Sequence, residues 1–237
     1  MLVGVLFESN MMGNFVESLQ TSLKNSIMAL LPQQTVRVTI PDQLPSITTD
    51  RLLLRPLADS DAEDLFAIRS RPEVAMTNHP KTPHQSIQET REWMATKIFT
   101  EGPDRILGRH FTYVLLEHEG VEHETQNLRA DGKVIGYVGI NEVSPSPEIG
   151  YSIHPDYWRK GYATEALNGL LKMWWDNPRH GQEINQVDRE AENVFAVCEK
   201  SNLGSTKVLT KCGFQVFKQM VYGEHKLFLW KLERPGN

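Results

Sequence analysis

The stretch Pro147-Glu148-Ile149-Gly150-Tyr151-Ser152-Ile153-His154-Pro155-Asp156-Tyr157-Trp158-Arg159-Lys160-Gly161-Tyr162-Ala163-Thr164-Glu165-Ala166-Leu167 reads as a strand, a tight loop and a helix. A short apolar run ends at His154-Pro155-Asp156. Beyond it Ala163, Leu167, Leu170, Leu171 and Trp174 recur at intervals of three and four, which predicts a helix from near Gly161 that stops at Asn177-Pro178. The basic turn Arg159-Lys160-Gly161-Tyr162-Ala163 therefore stands at a helix N-terminus, where unpaired N–H groups and the positive dipole end attract anions. A phosphate or pyrophosphate is the natural ligand of such a turn.

On the C-terminal side, a polar segment from His180 to Glu192 precedes a strand at Val194 to Val197, with Val194, Ala196 and Cys198 on one face. A helix from Asn202 to Lys211 closes at Cys212-Gly213-Phe214, where Gly213 is a natural C-cap. Val216-Phe217 and Lys226 to Leu232, separated by Gly223, form a last hairpin. On the N-terminal side, strands at Phe111 to Glu117 and Val134 to Val143 make a hairpin across the polar segment His118 to Lys133 with its Asp131-Gly132 turn signal. Ahead of them Asp50 to Pro56 reads as a compact strand. It is followed by a capping box at Ser60 and Glu63, which opens a helix carrying Leu65, Phe66 and Ile68 inward. A second box at Ser86 and Glu89 opens a helix over about residues 87 to 100, with Trp93, Met94 and Ile98. This order predicts a mixed α/β (α+β) sheet with helices on its faces.

Residues 1 to 46 have a separate character. Phe15, Leu19, Leu23, Ile27 and Leu31 fall every four residues and predict an amphipathic helix from about Asn14 to Leu31, ended by Pro32. It reads as a packing or oligomerisation helix, the feature that would support a homodimer. Lys24 is the only basic residue before Arg37, and Glu8 and Glu17 are present, so a targeting presequence is disfavoured. Pro32, Pro41 and Pro45 punctuate an expected linker around a short strand at Val36 to Ile40. The expected division is an extension over 1–46 and one folded domain over 47–233.

Composition narrows the function classes. The 237 residues, 40% of them hydrophobic, suffice for a substantial core. A net charge of -5 argues against nonspecific nucleic-acid binding. The apolar start, Met1 to Phe7, is too short to span a membrane. Two cysteines, Cys198 and Cys212, make neither a disulfide framework nor a four-ligand zinc site, and a reducing, cytoplasmic setting is expected. The eight histidines show no metal-site spacing, so no metal is expected. His154-Pro155-Asp156 reads as a turn. Trp174-Trp175 reads as helix packing, and both cysteines read as buried and structural.

Three separated motifs resemble the GNAT superfamily of acetyl-coenzyme A dependent N-acetyltransferases, and within it the RimJ/RimL branch. They are Thr49-Asp50-Arg51-Leu52-Leu53-Leu54-Arg55-Pro56; Glu148-Ile149-Gly150-Tyr151 leading into Gly161-Tyr162-Ala163-Thr164-Glu165-Ala166; and Ser201-Asn202-Leu203-Gly204-Ser205 leading into Lys211-Cys212-Gly213-Phe214. The resemblance covers about Ile47 to Leu232. It implies a central, mostly antiparallel mixed sheet with helices on both faces, acetyl-coenzyme A as cosubstrate, and a peptide or small-molecule primary amine as acceptor. The pyrophosphate cradle is then the backbone of Arg159, Lys160, Gly161, Tyr162, Ala163 and Thr164. Trp158 stands where the family has glutamine or arginine. Tyr151, Ser152 and Ile153 match the strand that holds the pantetheine arm.

The resemblance further implies that Asn202 and Ser205 contact the cofactor's thiol end, with Ser205 as partner of the leaving thiolate, because Leu209 occupies the position of the family's usual tyrosine acid. Glu148 matches a frequent family glutamate and is a candidate base, though it could equally anchor the substrate ammonium or cap a turn. Tyr113 and Asn141 are candidates to line the acceptor slot. The missing tyrosine keeps a second class open, a non-catalytic acyl-coenzyme A binding or regulatory module.

Overall fold

The computed structural model describes residues 22, 24–78, 81–118, 132–180 and 192–236. Eight strands form one sheet: β1 (Ile47–Thr48), β2 (Leu52–Pro56), β3 (Phe111–Glu117), β4 (Val134–Glu142), β5 (Glu148–Ile153), β6 (Asn193–Glu199), β7 (Gln215–Tyr222) and β8 (His225–Glu233). Their order across the sheet is β1-β2-β3-β4-β5-β6-β8-β7. Every neighbouring pair is antiparallel except β5 and β6, which run parallel. The helices that follow residue 47 among the described residues are α1 (Ala62–Arg69), α2 (Pro72–Ala75), α3 (Ile87–Ala95), α4 (Tyr162–Asp176) and α5 (Leu203–Lys211).

Strand alternation divides the core between the two faces of the sheet. Val114 and Leu116 of β3 and Tyr137 of β4 meet Leu65 and Ile68 of α1 and Met94 of α3. Phe111, Tyr113 and Leu115 point the other way and pack with Leu167, Leu170 and Trp174 of α4 and Leu209 of α5. The mixed sheet with helices on both faces agrees with the expectation from element order.

Several local expectations are revised. No side chain caps α1. Instead of the Ser60 box, the Asp61 carboxylate accepts from the Ala58 N–H at 2.8 Å and pairs with Arg55 at 2.6 Å. The box at Ser86 forms only in part: Ser86 Oγ accepts from the Glu89 N–H at 3.1 Å, but Glu89 reaches back past the cap to accept from the Gln85 N–H at 2.7 Å. The helix it opens is shorter than predicted, ending at Ala95, and its phase leaves Ile98 44% exposed while Lys97 is only 8% exposed. The last hairpin is longer than the apolar runs suggested, and β8 lies between β6 and β7.

Residues 32 to 46 read as a linker, yet Val36, Val38 and Ile40 are buried in the α4-side core and Val38 bridges Arg179. Their carbonyls explain how an irregular segment tolerates burial. Arg105 donates to the Val36 and Val38 carbonyls and Arg109 to that of Ile40, while the Thr39 N–H donates to the Pro178 carbonyl at 2.8 Å. Residues 14–21 and 23 of the predicted amphipathic helix lie outside the described residues; residues 22 and 24 to 28 are helical, and Leu31 packs with Phe195, Leu227 and Leu229. The hairpin turn at Asp131-Gly132 and most of the polar segment from His180 to Glu192 also lie largely outside the described residues. No helix among the described residues is long and apolar enough to cross a membrane.

Candidate functional site

Strands β5 and β6 touch through a single register pair, Glu148 with Phe195, reinforced by the Phe195 N–H donating to the Pro147 carbonyl at 2.8 Å. Beyond it the two strands make no further pairing, so the edge of β5 from Ile149 to Ile153 faces an opening shaped like a V. Glu148 is at its apex, and Tyr151, Ser152 and Ile153 lie along one arm. The Tyr151 phenol crosses to α5 and donates to the Ser205 carbonyl at 3.4 Å. Burial raises the Tyr151 pKa well above its ordinary value, which keeps the phenol protonated.

The chain leaves the V through a turn that exposes backbone N–H groups. Arg159 adopts φ 63° and Gly161 φ 87°, two left-handed residues separated by Lys160. Gly161 is the N-cap of α4 and supplies no side-chain cap, so the N–H groups of the first helical turn keep their free donors. Arg159 and Lys160 are exposed, the Lys160 ammonium lying 4.8 Å from the Tyr157 ring centre. Ala163 packs half-buried on the core, and the Thr164 carbonyl accepts from Cys212 Sγ at 3.7 Å. The Trp158 indole donates to the Ile153 carbonyl at 2.7 Å, tying the turn to the last residue of β5. The position where the resemblance implies a glutamine or arginine thus holds a group that braces the turn. The donor set fits a diphosphate.

Sequence pattern marks Arg51 only as part of a strand, but it fastens this turn from outside. Its guanidinium donates to the Lys160 carbonyl at 3.0 Å and to the Glu165 carboxylate, with Nη2 at 2.6 Å and Nε at 2.8 Å from Oε2. Thr49 Oγ1 and the Arg51 N–H donate to the other oxygen, Oε1. Burial alone would raise the Glu165 pKa; the bonds from Thr49 and Arg51 outweigh it and hold the carboxyl below its ordinary value. Arg51 also lies 4.7 Å from the Tyr162 ring centre, and the Tyr162 hydroxyl donates to Glu117. The signal was the charged residue inside the motif Asp50-Arg51-Leu52.

Across the V, Asn202 is the N-cap of α5, its Oδ1 accepting from the Ser205 N–H at 3.0 Å. This fixes Asn202 as a helix cap and leaves Ser205 half-buried on the first turn. Leu209, 1% exposed, is a core residue. Cys198 accepts from the Trp230 indole at 3.2 Å, and burial raises the pKa of both cysteines, that of Cys212 to about 11. They are half-buried thiols rather than nucleophiles.

At the apex, burial first and the Glu142 carboxylate second push the Glu148 carboxyl up to about 7, while Lys97 and Lys24 oppose the shift. Glu142 stands opposite Glu148 in register and pairs with Lys24 at 2.5 Å. Tyr113 and Asn141, expected to share a slot, are separated by the sheet. Tyr113 is fully buried against Phe111 on the α4 side, whereas Asn141 lies against Gly150 and accepts from Lys97 just past α3. A Cβ on Gly150 would stand 2.1 Å from Asn141 Nδ2, so glycine is required for this approach.

The family model described as acetyltransferase (GNAT) domain matches residues 51–215, well over half of the chain. The chain belongs to the GNAT acetyltransferase family. Acetyl transfer is the general chemistry of that family. Among curated relatives, the uncharacterized N-acetyltransferase YoaA of Bacillus subtilis is 28% identical over 184 residues, covering 75% of this chain and 89% of YoaA. The GNAT fold recurs in solved structures. RimL, a ribosomal L7/L12 alpha-N-protein acetyltransferase in complex with coenzyme A, superposes with TM-score 0.58 at 15% identity, covering 80% of this chain and 98% of RimL. A GNAT-family acetyltransferase from Bacillus anthracis gives 0.57 at 18% identity, covering 80% and 98%. The microcin C7 self-immunity acetyltransferase MccE, in complex with acetyl-CoA and AMP, gives 0.56 at 15%, covering 83% and 99%.

Proposed function

We propose that this GNAT protein transfers the acetyl group of acetyl-CoA directly to a primary amine, a protein N-terminus or a small amine, in the manner of the RimJ/RimL branch. The observation that carries this reading is the V between β5 and β6, which runs from an ionisable carboxyl at Glu148 to an uncapped helix N-terminus at Gly161. Acetyl-CoA supplies an activated thioester. The N–H groups of residues 159 to 164 hold its pyrophosphate, with Arg159 and Lys160 adding charge. The open edge at Tyr151, Ser152 and Ile153 holds the pantetheine arm. The capping pair Asn202 and Ser205 is the feature shared with RimL-like proteins, and the acceptor of RimL, a protein α-amino group, is extended to this chain on that ground.

Glu148 takes the proton that the acceptor ammonium must lose before nitrogen attacks the acetyl carbonyl; the C–N bond forms, the C–S bond breaks, and the second proton that nitrogen sheds ends on the departing thiolate, so the coenzyme leaves as free thiol. An α-amino group titrates near about 7.7–8.0, so a carboxyl poised near neutrality accepts that proton at little cost. Ser205 and Tyr151 are the two hydroxyls at the thiolate's expected position. Replacing Ser205 by alanine should lower kcat by about tenfold or more, the range for a lost hydrogen bond to a charged group, with a smaller change in acetyl-CoA affinity. An unchanged kcat would transfer that role to Tyr151.

The pH dependence follows from the raised carboxyl. Glu148 is charged, and competent as a base, only above its folded pKa of about 7. The rate kcat should therefore climb roughly tenfold per pH unit up to about 7 and level off above it, and Glu148→Gln should be slow and lack that limb. A Glu148→Gln profile identical in shape to wild type would remove Glu148 as the base. The reading as a whole is tested by calorimetry with acetyl-CoA, thiol release, and intact mass of a peptide and amine panel. Absence of acetyl-CoA binding would overturn it. Binding without thiol release on any acceptor would favour the non-catalytic acyl-CoA-binding module.

A further inference from the structure

Just past α3 lies a cluster that acetyl transfer as described does not use. Trp93 of α3 carries two cations: the Arg69 guanidinium lies 4.0 Å from its ring centre and the Lys97 ammonium 4.7 Å. Both side chains belong to residues that are 8% exposed. Lys97 donates to Asn141 Oδ1 at 2.9 Å, one bond where an ammonium has three donors. Arg69 donates to His84 Nε2 at 3.0 Å and to the Tyr137 hydroxyl at 3.0 Å. Because His84 Nε2 accepts, this ring is not doubly protonated, and burial next to Arg69 pushes its pKa down to about 4. Its other nitrogen meets Thr90 Oγ1 at 2.9 Å.

Among the described residues, no carboxylate comes within ion-pair distance of Arg69 or Lys97. Two like charges sharing one aromatic ring out of water are expensive unless an anion meets them. Glu148 attracts Lys97 without bonding to it, and burial together with Arg69 lowers the Lys97 pKa to about 8. At neutral pH Lys97 is still mostly charged. The coenzyme phosphates do not reach it. Their cradle begins beyond the far end of β5, a six-residue strand that spans about 17 Å, whereas Lys97 is tied to Asn141 beside the Glu148 end.

We propose that Lys97, with Arg69 behind it, binds a carboxylate carried by the acceptor close to its reacting amine, so that the enzyme selects acidic amines. This rests on the acetyl-transfer reading above. Lys97 touches the acceptor, and Asn141 and Trp93 hold the ammonium in place. The carboxylate belongs either to a free amino acid or to an acidic side chain next to a peptide N-terminus, and the two sources share the same chemistry.

Thiol release by the full-length protein tests this with matched acceptors. These are the tetrapeptide amides serine-glutamate-alanine-alanine and serine-glutamine-alanine-alanine, and free serine against serinamide. Wild type should prefer the acidic member of at least one pair by about tenfold or more in kcat/KM, the value of one charge-assisted bond. Preference within the peptide pair assigns the carboxylate to an acidic N-terminus; preference only for serine over serinamide assigns it to a free amino acid.

Lys97→Met should bring that ratio close to one, mainly by raising KM for the acidic acceptor, and Lys97→Arg should keep part of the preference. Asn141→Asp is a second variant, which offers Lys97 an internal carboxylate and should also erase the preference. Equal use of both members of each pair by wild type would overturn the inference while leaving acetyl transfer intact. So would Lys97→Met lowering kcat alike for acidic and neutral acceptors, the sign of a structural role. Absence of turnover with every acceptor would bring down both readings together.

Discussion

Gly161→Glu should weaken acetyl-CoA binding by about a hundredfold or more, a loss of roughly 2.7 kcal/mol, while the protein remains folded. Gly161 is exposed and holds φ 87°, and a Cβ there would meet only Arg51 Nη2, at 3.4 Å. A side chain at this position costs about 1–2 kcal/mol in backbone strain. The larger effect falls on the ligand. A glutamate at the N-cap places its own carboxylate where the first-turn N–H groups would meet a phosphate, and its negative charge repels the pyrophosphate. Gly108→Glu separates the two effects. Gly108 also has positive φ, 73°, and nothing lies within 4 Å of a Cβ there. Both variants should melt a few degrees lower, about 2–4 °C per kcal/mol of strain, but only Gly161→Glu should lose binding in calorimetry. Intact binding by Gly161→Glu would remove the turn from the cofactor site.

The two sides of this site differed in how far sequence pattern could reach them. The α4 turn was legible because a helix N-terminus, a glycine and a strand end are all local features, and periodicity at Ala163, Leu167 and Trp174 set the helix start to within one residue. The start of α5 near Asn202 was legible for the same reason, but the spacing to Ser205 was read as a shared helix face, and that Asn202 caps the helix emerged only from the structure. The apex was legible only in part, because the Lys97–Asn141 contact joins residues 44 apart in sequence across two elements. A local clue did exist. Lys97 falls three and four residues after Met94 and Trp93, so it continues the inward stripe of the predicted helix over residues 87 to 100, where a lysine needs a reason. Reading Ile98 as the inward residue hid that clue, since the helix ends at Ala95 and the chain turns before Ile98. Arg51 is a similar case: its strand was recognised, but its partner Glu165 lies 114 positions away and no local pattern links them.

We propose, from the burial of residues 36 to 40, that the catalytic domain begins near Pro32 rather than Ile47, and deleting residues 1–46 should abolish cooperative folding. Such a deletion removes Val36, Val38 and Ile40, which are 5%, 1% and 0% exposed. At about 1.5–3 kcal/mol for each fully buried aliphatic side chain, the loss is roughly 5–9 kcal/mol, comparable to the whole stability of an ordinary domain at about 5–15 kcal/mol. It also strips the backbone acceptors from Arg105 and Arg109 and the partner of the Pro178 carbonyl, at the end of the helix whose start is the proposed phosphate cradle. Thermal unfolding followed by circular dichroism should show no cooperative transition for the truncated chain. Ile40→Ala in the full chain should cost about 2–5 kcal/mol, enough to lower the midpoint measurably without unfolding the protein. A truncated chain that melts cooperatively near the full-length midpoint would restore the boundary at Ile47. Residues 36 to 40 would then be a covering strap, and the site would owe its rigidity to α4 and the sheet alone.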